Sequence, residues 1–228
     1  RWLSPVIIDV SSLTIDRSIL SIPMTIPRII GHRGAASFAP ENTLEGFAEA
    51  VRQGAAWVET DVKLTEDEVT ILMHDDDLDR TTNGLGPVAK ASLATIEKLD
   101  AGSWFSPSFK GARVPVLTKA VRWITEHRLG CNFEIKPCPG RDRRTAEIMM
   151  RDLRASWPME RPLPLVSSFS REALLCARAV ERDWPMGVLL EKRPEDWLGF
   201  ARAIGAISIH CDYETLTPSW ARAIKENG

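Results

Sequence analysis

Cysteine, histidine and long apolar runs are all in short supply in this chain, and each shortage excludes something. The four cysteines, at 131, 138, 176 and 211, form no CxxC pair. That spacing argues against a disulfide framework and against zinc, and for free thiols in a reducing compartment. No run approaches the roughly twenty apolar residues of a membrane span. Neither sign of charge dominates: 29 Lys and Arg against 31 Asp and Glu leave a net charge of −2. A field that weak recruits neither nucleic acid nor an anionic membrane, so any anion must be held by local groups. The longest basic cluster, Arg141 with Arg143 and Arg144, reads as a solvated helix face. The expectation is a cytoplasmic protein with a small-molecule substrate and neither nucleic acid nor membrane as partner.

What remains suits a globular enzyme. The 228 residues are 44% hydrophobic and 26% charged, enough for one large domain or two small ones with a real core. The first residues fit less well. The chain starts with Arg1, and Asp9 and Asp16 interrupt the apolar core of any secretory signal. Met24 reads as the natural start, and residues 1–27 as an extension outside the catalytic fold, which runs from 28 to 228.

After residue 28, strand and helix signals alternate. Strand candidates are 28–31, 56–64, 69–74, 131–136, 163–169, 186–190 and 206–210. Helix candidates are 43–53, 93–99, 118–128, 143–156, 171–182, 194–204 and 218–226, with Asn42, Ser92 and Ser170 at N-caps and Gly54, Gly130 and Gly205 at helix stops. Such alternation predicts a parallel sheet with crossover helices, either open or closed into a barrel. Only residues 65–68 separate the second and third strands, too few for a parallel crossover, so these two form a hairpin. Pairing Leu64 with Val69 would set Asp61 against Leu72 and Glu59 against His74. Six parallel strands then remain, two short of a closed eight-stranded barrel. Residues 76–115 form a long polar insertion, the length of a lid or small subdomain.

The chemistry concentrates at strand ends. Gly31-His32-Arg33-Gly34 and Pro40-Glu41-Asn42-Thr43 lie between a short apolar strand and a helix. His32 can exchange a proton near neutral pH, and Arg33 offers a planar fork that suits phosphate oxygens. Glu59 and Asp61 alternate on one strand face, and Glu134 lies on another apolar strand with Lys136 two residues on. Inward carboxylates repel one another, and a hard divalent cation resolves that repulsion. His74 ends a strand as His32 does, and two imidazoles flanking a phosphate ester can move the protons of P–O cleavage. A structural Glu–Lys network is the bland alternative for either acidic strand alone. His127 reads as a helix C-terminal cation and His210 as a strand end that could touch substrate. Ser167, Ser168 and Phe169 end another strand.

In family order, His32-Arg33-Gly34, Pro40-Glu41-Asn42-Thr43, Glu59-Thr60-Asp61, His74-Asp75, Asp100-Ala101-Gly102-Ser103-Trp104, Glu134-Ile135-Lys136 and Ser167-Ser168-Phe169 resemble the glycerophosphodiester phosphodiesterase family. The excursion 78–104 and Ser208-Ile209-His210 look most like the cytosolic bacterial enzyme linked to glycerol-3-phosphate uptake. The resemblance implies a (β/α)₈ TIM-type barrel with a small capping insertion. It implies hydrolysis of glycerophosphodiesters to sn-glycerol 3-phosphate and an alcohol. It implies a divalent cation, Mg²⁺ or Ca²⁺ with Mn²⁺ as a further option, on Glu59, Asp61 and Glu134. It makes His32 and His74 the acid/base pair, sets Arg33 and Lys136 near the phosphate, and offers Trp104 and Phe105 for the glycerol side. Two departures stand out. Glu68 occupies a hairpin position where the family usually carries glycine, and the family's last two strands have no counterpart here. A phospholipase or sphingomyelinase of the same barrel type is the enzyme alternative, and a truncated chain binding phosphate or metal without turnover is the non-catalytic one.

Overall fold

A computed structural model describes residues 6–9 and 25–227, so Met24 lies outside the described residues. The core of the fold is a run of parallel strands: β2 (Trp57–Leu64), β4 (Gly130–Ile135), β5 (Leu165–Ser168), β6 (Met186–Leu190) and β7 (Ser208–Cys211). They pair in that spatial order. Two antiparallel strands flank them. β3 (Thr70–Leu72) pairs with β2, and β1 (Val6–Asp9) pairs with β7. Four residues of the stretch expected outside the fold therefore belong to the sheet. The strand expected at 28–31 shrinks to one parallel bridge from Gly31 to Val58, beside the start of β2. The sheet is of the α/β barrel type, and among the described residues no helix is long and apolar enough to cross a membrane.

The helices cover one face of the strands. They are α1 (Leu44–Arg52), α3 (Leu117–Glu126), α4 (Asp142–Ser156), α5 (Arg171–Val180), α6 (Trp197–Ala203) and α7 (Pro218–Glu226), whereas α2 (Leu93–Ile96) lies in the insertion, where Ile96 packs with Ile71 and Met73. Phe47 of α1, Ile124 of α3 and Met149 of α4 pack with Val58, Val62, Cys131 and Phe133 in the largest core cluster. Because side chains alternate along a strand, the odd-numbered neighbours of those valines face the other way. That second face of β2 carries Glu59, Asp61 and Lys63, all buried.

The hairpin forms, but one residue out of the expected register. Leu64 opposes Thr70, Lys63 opposes Ile71 and Val62 opposes Leu72. The turn absorbs the extra residue with Glu68 at φ 61, the left-handed conformation that glycine takes without strain. Arg144 grips both Glu68 carboxylate oxygens at 2.6 and 2.9 Å, while Arg141 donates to the Thr65 carbonyl at 2.8 Å. Arg141 and Arg144 thus tie down the hairpin, while Arg143 stays on the solvated face. A one-residue slip transfers side chains to the opposite face, so His74 does not face Glu59 across the ladder. It lies beyond β3, where the chain has left the pairing.

Two cap expectations are corrected. Thr43, not Asn42, caps α1, its hydroxyl accepting from the Gly46 amide at 3.0 Å. After α3, Arg128 makes the left-handed turn at φ 59, and Gly130 instead opens β4 against Trp57. A Cβ on Gly130 would lie 2.2 Å from the Trp57 indole. Gly130→Ala is therefore expected to destabilise the protein by about 1–3 kcal/mol. Urea unfolding would measure the loss, and an unchanged midpoint would contradict this packing.

Candidate active site

The loop after Gly31 is built to hold groups over the buried carboxylates. The Gly31 carbonyl accepts from the Glu59 amide at 2.8 Å, which sets His32 and Arg33 beside β2. Gly34 has φ +88, and a Cβ there would lie 2.6 Å from the backbone of Gly46, so only glycine lets α1 approach this closely. Arg33 and Asn42, neither a glycine, take left-handed φ values of 50 and 55. Each such residue costs roughly 1–3 kcal/mol and persists only where its surroundings fix it. Here the fixing partners are acids. The Arg33 amide donates to Glu59 Oε2 at 2.9 Å, and Asn42 Nδ2 donates to Asp61 Oδ2 at 2.9 Å. Asn42 Oδ1 in turn accepts from the Thr60 hydroxyl at 2.7 Å and from the Asp61 amide at 3.2 Å.

Sheet register brings the third acid in. Asp61 pairs with Glu134 across β2 and β4, and Glu134 with Ser167 across β4 and β5. Ligand oxygens of Glu59, Asp61 and Glu134 all lie within 4.8 Å of one another. Lys136 donates to Glu134 Oε1 at 2.9 Å and stands 4.0 Å from Asp61 Oδ1. The Arg33 guanidinium donates to Glu41 at 2.8 Å, while its Nε lies 3.2 Å from Asp61 Oδ2 without hydrogen-bond alignment.

These surroundings separate the three acids. Burial, then repulsion from Asp61 and Glu134, drives Glu59 well above the carboxylate range. Burial and then Asp61 push Glu134 up to about 7. Burial would raise Asp61 as well, but Arg33, His74, Lys136 and the Asn42 hydrogen bond more than offset it and hold it low. Glu59 Oε1 is buried with no hydrogen-bond partner. An orphaned carboxylate oxygen between two further carboxylates is the donor set of a hard divalent cation, and the residues fit such an ion.

The two histidines flank this cluster. His32 Nε2 is 3.9 Å from Glu59 Oε2, and burial followed by Arg33 lowers it to about 4. His74 Nδ1 donates to Asp75 Oδ1 at 2.6 Å, because an ionised carboxylate can only accept. That bond leaves Nε2 of the neutral ring bare. Burial is the largest influence on His74 and lowers it also. His74 and Lys136 line a cavity of about 640 Å³ with Lys63, Arg80, Pro137 and Asp75, Asp76, Asp77 and Asp79.

Seven of the expected site residues thus converge: His32, Arg33, Glu59, Asp61, His74, Glu134 and Lys136. Trp104 and Phe105 pack within the insertion. They meet edge to face at 5.7 Å, Phe105 stacks on Phe109 in the same way, and neither lines the cavity beside His74. His210 is buried next to Ser208, 2.9 Å from its hydroxyl, and His127 stacks on Trp123 at the end of α3. Sequence reasoning assigned no role to Asn42 beyond capping and none to Glu41, Lys63, Asp75 or Arg80. Lys63 showed a signal, being the next inward position after Asp61; it is fully buried and pairs with Asp76 at 2.6 Å.

Residues 32–228 match the family model of the glycerophosphoryl diester phosphodiesterase family. The chain belongs to this family. A Bacillus subtilis glycerophosphodiester phosphodiesterase is 30% identical over 87% of this chain and 73% of its own length. The enzyme of the same name from Caldanaerobacter subterraneus subsp. tengcongensis is 32% identical over 88% of this chain and 82% of its own. The alignment with YhdW of Bacillus subtilis, 47% identical, spans 45% of that relative. Among solved structures, an Oleispira antarctica phosphodiesterase in complex with the product sn-glycerol-3-phosphate superposes with a TM-score of 0.85 at 34% identity, covering 89% of this chain and 81% of that one.

The raised Glu134 gives the protein a pH signature. Between its ordinary value of 4.5 and about 7, unfolded Glu134 has released its proton while the folded residue retains it. Metal-free stability therefore falls as pH rises through this window. His32, lowered from 6.5 to about 4, acts in the opposite sense between those values. Glu134→Gln isolates the acid, since glutamine mimics the protonated form. Metal-free variant and wild type should match near pH 4, and the variant should be more stable by about 1–3 kcal/mol near pH 8. Urea unfolding at both pH values would check this, and equal stabilities at pH 8 would show that Glu134 ionises normally.

Proposed function

We propose that the cluster between His32 and His74 is the centre at which this chain hydrolyses glycerophosphodiesters to sn-glycerol 3-phosphate and an alcohol. The observation that carries the reading is the convergence of Glu59, Asp61 and Glu134 within 4.8 Å, with an unpartnered Glu59 oxygen among them. Family membership and the product held by the Oleispira antarctica relative support the substrate class. Glu59, Asp61 and Glu134 would hold Mg²⁺, Ca²⁺ or Mn²⁺. When bound, such an ion supplies positive charge against the phosphoryl oxygens.

The chain's own residues do the rest. Lys136 keeps its proton because Glu134 and Asp61 outweigh the effect of burial, so it presents a cation to the phosphate. Arg33 presents a second, with its backbone anchored on Glu59. His32 and His74 are both neutral near pH 7, so either ring can take a proton from an attacking hydroxyl. The imidazolium so formed, or its counterpart across the ester, returns a proton to the leaving alkoxide. The Asp75 bond directs the bare Nε2 of His74 for this exchange. Four aspartates, two lysines and an arginine around the cavity suit a small polar alcohol better than acyl chains.

Hydrolysis of glycerophosphocholine in Mg²⁺, Ca²⁺ or Mn²⁺ should release sn-glycerol 3-phosphate. Glu59→Gln and Glu134→Gln should abolish turnover and weaken cation binding, read as a smaller cation-induced rise in Tm. His32→Ala should slow turnover by about 10²–10⁴-fold with cation binding retained. Undiminished turnover in all three variants would reject the assignment.

A further inference from the structure

Arg80, in a turn of the insertion, connects the two halves of the site. Its guanidinium lies between two carboxylates and engages each through both oxygens. Toward Asp75, Nε donates to Oδ2 at 2.5 Å and Nη2 to Oδ1 at 2.9 Å. Toward Glu41, Nη1 donates to Oε2 and Nη2 to Oε1, both at 2.8 Å. Four of the five N–H groups that an arginine possesses are thereby occupied. Both edges of the fork are filled by protein, which leaves Arg80 poorly placed to grip a phosphate.

Each carboxylate passes the contact on. Glu41 Oε1 also accepts from Arg33 Nη1 at 2.8 Å, and Asp75 Oδ1 also accepts from His74 Nδ1 at 2.6 Å. A continuous series of charge-assisted hydrogen bonds thus runs Arg33, Glu41, Arg80, Asp75, His74, with the charges alternating as far as Asp75. It spans the loop after Gly31, the chain beyond β3 and the insertion, segments that share no strand pairing with one another at these residues. Arg80 holds Glu41 low despite its burial and is the largest influence lowering Asp75. Both carboxylates therefore remain ionised and able only to accept.

We infer that Arg80 is a positioning residue that orients His74 through Asp75 and Arg33 through Glu41, making proton transfer depend on the docking of the insertion. The inference rests on the phosphodiesterase reading for its catalytic consequence. The chemistry demands arginine, since a lysine ammonium is a point charge and cannot bind two carboxylates bidentately at once. Losing Arg80 leaves the carboxylate cluster and Lys136 in place. It removes the tether that keeps Nδ1 of His74 on Asp75.

Arg80→Ala, Asp75→Asn and the double variant test this. With glycerophosphocholine, Arg80→Ala should lower kcat by about 10–100-fold, with KM and Mn²⁺ affinity little changed. The double variant should be no slower than the slower single variant, because both act through one imidazole. Guanidinium ion added to Arg80→Ala should restore part of kcat, and should do nothing for the double variant. A raised KM with kcat intact would instead make Arg80 a substrate ligand, and multiplicative losses would separate it from Asp75. A readout independent of turnover is the ¹⁵N spectrum of the imidazoles, tractable with four histidines. His74 should appear as the Nδ1–H tautomer in wild type and as a mixture in Arg80→Ala. An unchanged His74 signal in that variant would overturn the inference even if the wild type hydrolysed no diester; a wild type that is inactive while the signal shifts would reject the phosphodiesterase reading alone.

Discussion

Three carboxylates buried within 4.8 Å of one another repel, and the arrangement around them is a response to that repulsion. Asp61 is held ionised by Asn42, Arg33 and Lys136, while Glu59 and Glu134 are driven toward their neutral forms. The residual imbalance ends on one unpartnered Glu59 oxygen. A divalent cation held by the three acids would remove it. Lys136 serves on both sides of this balance. It neutralises Glu134 from inside and faces the cavity with His74 from outside.

Backbone strain follows the same centre. Arg33 and Asn42 are left-handed because the Arg33 amide and the Asn42 side chain must meet Glu59 and Asp61 from one short loop. The loop lies against α1 only because Gly34 and Gly46 lack side chains where their backbones touch. Glu68 is strained for a different reason. It turns the hairpin, and Arg141 and Arg144 hold that turn from α4 and its approach. The hairpin then delivers the chain to His74, Asp75 and Arg80, so a surface turn sets the position of a group in the site.

Much of this was legible residue by residue. Glu59, Asp61 and Glu134 could be seen as inward acids because strand alternation is a local rule, and the short 65–68 connection could only be a hairpin. The register was harder. It depended on how a left-handed Glu68 absorbs one residue, and pattern alone does not count that residue. Asn42 was misjudged because asparagine and threonine both cap helices, and only the packed loop shows which one is free to reach Asp61. Trp104 and Phe105 are glycerol-side candidates through the family resemblance alone; in the fold they pack on each other and Phe105 packs on Phe109. Arg80 gave no signal at all, since its partner Glu41 is 39 residues away.

The chain's own order of residues therefore determined which chemistry could exist: acids on one face of apolar strands, histidines at strand ends, helices alternating to cover the other face. Those are consequences of periods of two and 3.6 residues, which act over a few ångströms of backbone. The folded arrangement decided which charges meet, which proton each group keeps and which nitrogen of His74 is bare. Coulomb energy and desolvation depend on separations in space and on the exclusion of water, and neither quantity exists until distant segments have packed.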